Sequence, residues 1–154
     1  MAKETYNIGE ETEQVEFKKS TGELKEGIIS IASILNKHGS GELYFGVKNN
    51  GDVIGQQITD ETMRDVSQGI RNHLKPAIYP VIDQEHYGDK TVISVKFKGT
   101  EQPYLAYNIP RIRVADEDLV MEQPMYERLM QKRCSISYQS ILFRILMKKY
   151  SGST

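Results

Sequence analysis

The chain has 154 residues and a mass of 17.6 kDa, enough for a single domain with a hydrophobic core of its own. No stretch is apolar over the ~18 residues that a membrane span needs, and the charged N-terminus lacks the apolar core of a signal peptide, so we expect a cytoplasmic protein without membrane contact. A net charge of -1 excludes nucleic-acid binding through bulk charge alone, so such binding would need a local basic patch.

The first predicted elements are a strand and a capped helix. Alternating apolar and polar residues predict a strand over residues 14–18. Ser20, with Glu23 three positions later, is typical of a capping box at a helix start. The helix predicted over residues 22–37 has apolar positions at spacings of three and four, and Gly39 indicates its end.

A hairpin and a second helix are predicted next. The Asn-Gly pair at 50–51 predicts a turn between strands over 43–47 and 53–54. Gly46, inside the first of these strands, indicates a bulge or a close backbone approach. The second helix is predicted over residues 60–75, since Pro76 cannot continue it.

The remainder of the sequence predicts further strands and a helical tail. The strands are expected over residues 81–86, 91–98, 104–107 and 111–114. From residue 121 the pattern is helical, and a second helical segment with apolar residues over 136–147 predicts a terminal helix that docks on the domain or on a second copy of the chain. The order of elements predicts an α+β fold, in which two main helices pack on a mixed β-sheet and a C-terminal helical tail follows. We predict a domain over residues 8–120 and a helical extension over residues 121–154.

Three signatures in fixed order carry the functional interpretation. They are ETEQVEFKKS before the first helix, LNKHGSGELYFGVKNNGDVIG after it, and QPYLAYNIPRIRVADED after the last strands. With these signatures the sequence resembles the AlbA_2 domain, also called the Schlafen-type AlbA domain, over about residues 11–114. The third signature offers two arginines for one family position, and Arg111 and Arg113 both fit it.

The resemblance implies a nuclease as one alternative. In some Schlafen proteins this domain cleaves structured RNA such as tRNA with a metal-dependent acidic triad, because a hard divalent cation prefers oxygen ligands. By resemblance, Glu11 and Glu16 fill two of the three positions, and Mg²⁺ or Mn²⁺ would be the cofactor. Lys48 and Asn49 stand where the third acid is expected.

The spacing of the two glutamates opposes the nuclease interpretation. Glu11 and Glu16 are five residues apart and would point to opposite faces of one regular strand, although a bend near Thr12 would bring them together. We therefore favour a structural role, in which Glu16 pairs with Lys18 or a nearby arginine. The single cysteine and three scattered histidines show no CxxC or HExxH spacing, so no metal site is expected.

Nucleic-acid binding, most simply DNA binding by the front module of a transcriptional regulator, is the function that we expect. It needs several cations that converge on phosphate, and the backbone of the HGSGE loop can add donors. The candidates lie near the family motifs or on polar faces: Lys18, Lys19, Lys37, His38, Lys48, Arg71, Lys75, Arg111 and Arg113. No cofactor is expected for this function. The alternatives are a metal-dependent endoribonuclease and a non-enzymatic protein-interaction module, and further domains outside this chain are expected as partners.

Overall fold

The computed structural model of the chain describes residues 4–151, apart from the side chains of residues 136, 137 and 151. Its strands are β1 (Val15–Lys18), β2 (Ser40–Phe45), β3 (Leu74–Lys75), β4 (Val81–Tyr87), β5 (Lys90–Lys98), β6 (Leu105–Ala106), β7 (Ile109–Val114) and β8 (Glu117–Val120). Its helices are α1 (Leu24–His38), α2 (Asp60–His73) and α3 (Gln123–Ser151), and a 3-10 turn over Thr21–Glu23 precedes α1. The α+β fold with a mixed sheet and a C-terminal helix is confirmed.

The first sheet is mixed and has the strand order β1-β2-β5-β4. β1 runs parallel to β2, with Val15 opposite Glu42, because α1 carries the chain across one face of the sheet between them. The other pairs are antiparallel, and Lys96 of β5 lies opposite Glu42 on one side and Val81 on the other. Ile93, Val95 and Phe97 of β5 face α1 together with the apolar positions of β2. Val92 points the other way and packs with Phe17, Val47 and Val53 in a second apolar cluster.

The second sheet has the order β3-β6-β7-β8 and is antiparallel throughout. It packs on α1 through β7, while Tyr104 and Ala106 join the same core cluster as the first sheet. As a result α1 lies between two sheets, and residues 27–36 of this helix are buried except for the partly buried Ile29. The sequence predicted one sheet, since β3 and β8 are short and have no periodicity of their own.

The predicted end of α1 lies within one residue of the observed end, whereas β2 begins and ends earlier than predicted and α2 ends at His73, before the predicted residue 75. Gly39 ends α1 in the left-handed region, at φ 78°, as predicted. β2 ends at Phe45 because Gly46, at φ 101°, turns the chain, and its N–H bonds to the carbonyl of Lys18 at 2.8 Å. The predicted hairpin is thereby reduced to a single bridge between Val47 and Val53.

The C-terminal region forms one continuous helix, α3, where the sequence indicated two helical segments. Its first turns pack near the core, whereas residues 138–150 are exposed. Within residues 4–151, none of the helices is both long enough and apolar enough to cross a lipid bilayer. The domain boundary at residue 120 stays a prediction.

Candidate functional site

Glu11 and Glu16 converge because the chain reverses direction between them. The backbone of Thr12 and Val15 forms two hydrogen bonds, of 3.0 and 3.4 Å, so the reversal separates Glu11 from β1. Glu11 then folds back, and its Oε1 accepts the N–H of Phe17 at 3.0 Å. Burial raises the pKa of Glu11, and the neighbouring Glu16 carboxylate raises it further, against the opposing effect of the Phe17 N–H. The odd spacing of the two glutamates is therefore no obstacle to their meeting.

Glu16 is buried, with 6% of the residue exposed, and its carboxylate lies between two cations. Its Oε2 lies 2.5 Å from Nη2 of Arg113, and its Oε1 lies 3.1 Å from Nζ of Lys18. Lys18 follows two positions along the same strand, so both side chains lie on the face that meets the second sheet. The predicted ion pair of Glu16 with Lys18 and with an arginine is confirmed by these distances.

Arg113 connects its own strand, β7, with β1 through Glu16 and with β8 through Asp118, and Asp118 in turn binds α1. The Arg113 guanidinium is 0% exposed, donates to Asp118 Oδ1 at 2.9 Å and reaches the carbonyl of Thr12 at 3.3 Å. Asp118 also accepts the hydroxyls of Ser30, at 2.7 Å, and of Ser33 on α1. Burial alone would lower the pKa of Arg113, but the hydrogen bonds and charges of Glu16 and Asp118 outweigh it and raise that pKa.

We call Glu11, Glu16, Lys18, Arg113 and Asp118 the buried ion cluster. Asp118 lies in the ADED run of the third signature, and no pattern in the sequence distinguishes it from the other two acids of that run. The two arginines of that signature differ in their surroundings, since Arg113 contacts Glu16, whereas Arg111 leaves its Nη1 buried without a hydrogen-bond partner in the described part of the chain.

The buried ion cluster does not fit the divalent cation that the nuclease interpretation requires. Both oxygens of Glu16 already face cations, and Lys48 and Asn49 are exposed at the position expected for a third acid. Asp52 is held in the following turn by the side-chain amides of Asn7, at 2.9 Å, and Asn50, at 3.1 Å. Among residues 4–151, apart from the three undescribed side chains, no three acidic, histidine or cysteine groups are placed to hold a metal ion.

The predicted phosphate-binding residues fall into separate parts of the surface and interior. Arg113 is fully buried and leaves the set of candidates, because a guanidinium without solvent contact cannot reach a phosphate. Lys18 is mostly covered and Arg111 is half-buried. The exposed candidates outside α1 lie at the end of β1, in the 48–52 turn, on α2 and on β3, and they are Lys19, Lys48, Arg71 and Lys75.

Lys37 and His38 are the two candidates that share a concave surface with further cations. A cleft of about 680 Å³ lies between the C-terminal end of α1, the loop over residues 99–102 and α3, and Lys132 and Arg133 line it with them. Arg133 is oriented by the carbonyls of Glu101, at 3.2 Å, and Pro103, at 3.4 Å. We call Lys37, His38, Lys132 and Arg133 the basic cleft.

Glu13 partly neutralises one wall of the basic cleft. Its Oε1 lies 2.7 Å from Nε2 of His38 and 3.7 Å from Nζ of Lys37. The hydrogen bond with His38 lowers the pKa of Glu13, as do the backbone N–H of Ala115 and the charge of Lys37. The cations on α3 therefore contribute much of the positive charge of this cleft.

A second concavity of about 570 Å³ adjoins the basic cleft on the outer face of the first sheet. We call it the sheet-face pocket, and its polar lining includes Tyr79, Lys96, Lys98 and Glu42. The two concavities meet where Ser40 pairs with Lys98, one residue beyond the hydrogen bond between the Gly99 N–H and the Gly39 carbonyl at 2.9 Å.

Sequence reasoning did not select the cations on β5 and α3. The alternation of β5 placed Lys96 and Lys98 on its polar face, which was a usable signal. A second signal was charge, because six lysines and arginines and no acid follow Glu127, whereas residues 1–127 carry a net charge of -7.

Comparison with known proteins connects this fold to a family. The family model described as Schlafen, AlbA_2 matches residues 11–122. The crystal structure of the DIP2311 protein from Corynebacterium diphtheriae shares the fold with a TM-score of 0.61 at 16% identity, over 79% of this chain and 24% of that chain. The chain thus spans about a quarter of the length of that protein.

A second solved structure is the N-terminal domain of an ATP-dependent DNA helicase RecG-related protein from Nitrosomonas europaea. It is 22% identical over 71% of this chain and 84% of that chain, with a TM-score of 0.41. None of the curated proteins compared with the chain matches it. The family match covers well over half of the chain and includes both glutamates, Arg113 and Asp118, so the chain belongs to the Schlafen AlbA_2 family.

Proposed function

We propose that this domain binds nucleic acid through the basic cleft and the sheet-face pocket, without catalysis. One observation carries the proposal: basic side chains from three distant parts of the sequence line two adjoining concavities. They are Lys37 and His38 at the end of α1, Lys96 and Lys98 on β5, and Lys132 and Arg133 on α3. Phosphate binding depends on such convergence, because each neutralised phosphate releases condensed counterions.

The charge distribution supports a confined contact surface. Residues 1–127 carry fourteen basic and twenty-one acidic side chains, so most of the domain repels a polyanion. Glu42 and Glu101 also line the concavities, and five lysine and arginine side chains outnumber them. Moderate and salt-sensitive affinity follows from this balance.

Charge reversal in the basic cleft tests the proposal against a matched control. The variant Lys37→Glu/Lys132→Glu changes two cleft cations, and Lys48→Glu/Lys75→Glu makes the same net-charge change at exposed positions that do not line either concavity. Fluorescence anisotropy with labelled DNA and RNA of one sequence measures the affinity. We expect a loss of about tenfold or more in the cleft variant and less than about threefold in the control. Equal losses in both variants would refute the assigned surface.

The family resemblance favours DNA as the ligand and transcription regulation as the biological role. The same titrations test the first part, since tighter binding of RNA than of DNA would contradict it. The second part is tested by deleting the corresponding gene and measuring transcript levels, where unchanged transcripts would contradict a regulatory role.

We also propose that the outer half of α3, residues 138–150, associates with a second copy of the chain. Apolar side chains cover most of this segment outside the polar stripe of Ser140, Arg144 and Lys148. Tyr138, Phe143 and Tyr150 are 64, 65 and 80% exposed. A broad apolar helix face is usually buried against another element. The segment carries three cations and no acid, which complements the net charge of -7 on residues 1–127 of another copy.

A further inference from the structure

Tyr79 stands almost entirely in solvent, at 94% exposure, on the rim of the sheet-face pocket. It lies in the segment between α2 and β4, where Pro76 precedes it by three residues and Pro80 follows it directly. Pro80 confines the backbone of Tyr79, the residue before it, largely to extended conformations, so the main chain that carries the ring loses little freedom on binding. An aromatic ring held in this way is suited to stacking on a flat partner.

The floor of the sheet-face pocket is apolar. Val15 and Val81 line it from β1 and β4, on either side of the paired Glu42 and Lys96. Val81 is 58% exposed, so this part of the sheet has an uncovered apolar surface next to Tyr79. Such a floor suits the face of a nucleobase better than it suits a phosphate, which would lose hydration there without gaining a donor.

Glu42 provides a hydrogen-bond acceptor in the sheet-face pocket. It lies directly opposite Lys96 in the sheet, and its Oε2 accepts the hydroxyl of Tyr44 at 2.7 Å. A carboxylate repels phosphate, but it accepts N–H groups from the edge of a base, as carboxylates do from the amino group of cytosine. Lys96 and Lys98 stand beside it as phosphate partners.

We propose that the sheet-face pocket binds an unpaired nucleotide of a single-stranded nucleic acid, with its base on Tyr79 and its edge at Glu42. Lys96 and Lys98 contact the flanking phosphates, and the adjoining basic cleft receives the next part of the strand. A duplex does not meet these requirements, since its bases are stacked on each other and their pairing edges are occupied. This inference rests on the proposed nucleic-acid binding and specifies the ligand class.

The test compares one labelled strand of about 12 nucleotides, single and annealed to its complement, in fluorescence anisotropy with the full chain. We expect the single strand to bind more tightly than the duplex. Tyr79→Ala should weaken single-strand binding by about tenfold and leave duplex binding unchanged, because stacking on one aromatic ring is lost. Tyr79→Phe should retain the affinity, and Val120→Ala serves as a control at an exposed apolar residue that lines neither concavity and should leave the affinity unchanged.

The outcomes separate this inference from the proposed function. Duplex binding that equals single-strand binding and is insensitive to Tyr79→Ala would overturn the inference alone. Unchanged single-strand affinity in Tyr79→Ala would do the same, since the variant alters an exposed ring and its fold can be verified by circular dichroism. No binding of either ligand would overturn both proposals.

Discussion

Replacing Arg113 by methionine should destabilise the domain more than any surface charge change. The substitution keeps a long side chain but removes the contacts to Glu16 at 2.5 Å, Asp118 at 2.9 Å and the Thr12 carbonyl at 3.3 Å. Glu16 then stays buried with Lys18 as its remaining cation. Removing one partner of a buried ion pair costs about 3–5 kcal/mol.

Two features place the expected loss near the lower end of that range. Asp118 keeps the hydroxyls of Ser30 and Ser33, and its side chain is 18% exposed, so it is not left unsatisfied. Lys18 still compensates one oxygen of Glu16. We therefore expect a decrease of about 3 kcal/mol in the free energy of unfolding, a large share of the roughly 5–15 kcal/mol that stabilises a typical domain.

Urea unfolding followed by far-ultraviolet circular dichroism at pH 7 measures this decrease. Arg71→Met, at an exposed arginine on α2, is the matched control and should change the stability by less than about 0.5 kcal/mol. A loss below about 1 kcal/mol in Arg113→Met would refute the reasoning. So would simple additivity in Glu16→Gln/Arg113→Met, because removing the charge of Glu16 should relieve part of the penalty.

Four other outcomes follow from the same structure. Glu11→Gln should raise the thermal stability at pH 7, because the pKa of Glu11 is raised in the folded state, so ionisation of this carboxyl opposes folding. The gain should vanish below about pH 4, where the carboxyl is protonated in the folded and unfolded states alike. A gain that persists below that pH would contradict the assigned ionisation effect. Gly41→Ala should cost about 1–3 kcal/mol in urea unfolding, since its Cβ would come within 2.6 Å of a side chain of α1, and an unchanged midpoint would count against this packing. Leu142→Glu/Leu146→Glu should convert a dimer into a monomer in sedimentation equilibrium, whereas a monomeric parent chain would rule out the association. Incubation with tRNA and Mn²⁺ should leave the RNA intact, and cleavage that disappears in Glu11→Ala/Glu16→Ala would establish the nuclease instead.

The sequence predicted the elements whose apolar residues recur at a regular spacing or whose ends are marked by glycine or proline. β5 alternates apolar and polar residues from Ile93 to Lys98, the apolar residues of α1 recur at spacings of three and four, and Gly39 supplies the left-handed end of that helix. β3 and β8 escaped prediction because pairing with neighbours, and not local pattern, makes them strands. The hairpin around the Asn-Gly turn was overestimated, since Gly46 ends β2 before a second strand can pair along it.

The candidate sites depended on contacts between distant residues. The meeting of Glu11 with Glu16 follows from a backbone reversal that no residue type between them demands. The burial of Arg113 follows from the packing of β7 on α1, so it could not be distinguished from Arg111 by sequence. The basic cleft combines one predicted pair of residues with cations nearly a hundred positions away.

The salt dependence of oligonucleotide affinity tests the central claim most directly. With five lysine and arginine contacts in the two concavities, the logarithm of the association constant should fall against the logarithm of salt concentration with a slope of roughly -3.5 for a single strand. Lys37→Gln/Lys132→Gln should reduce that slope by about 1.4, since two phosphate contacts are lost. An affinity that does not respond to salt, or a slope that these substitutions leave unchanged, would contradict the proposed nucleic-acid interface.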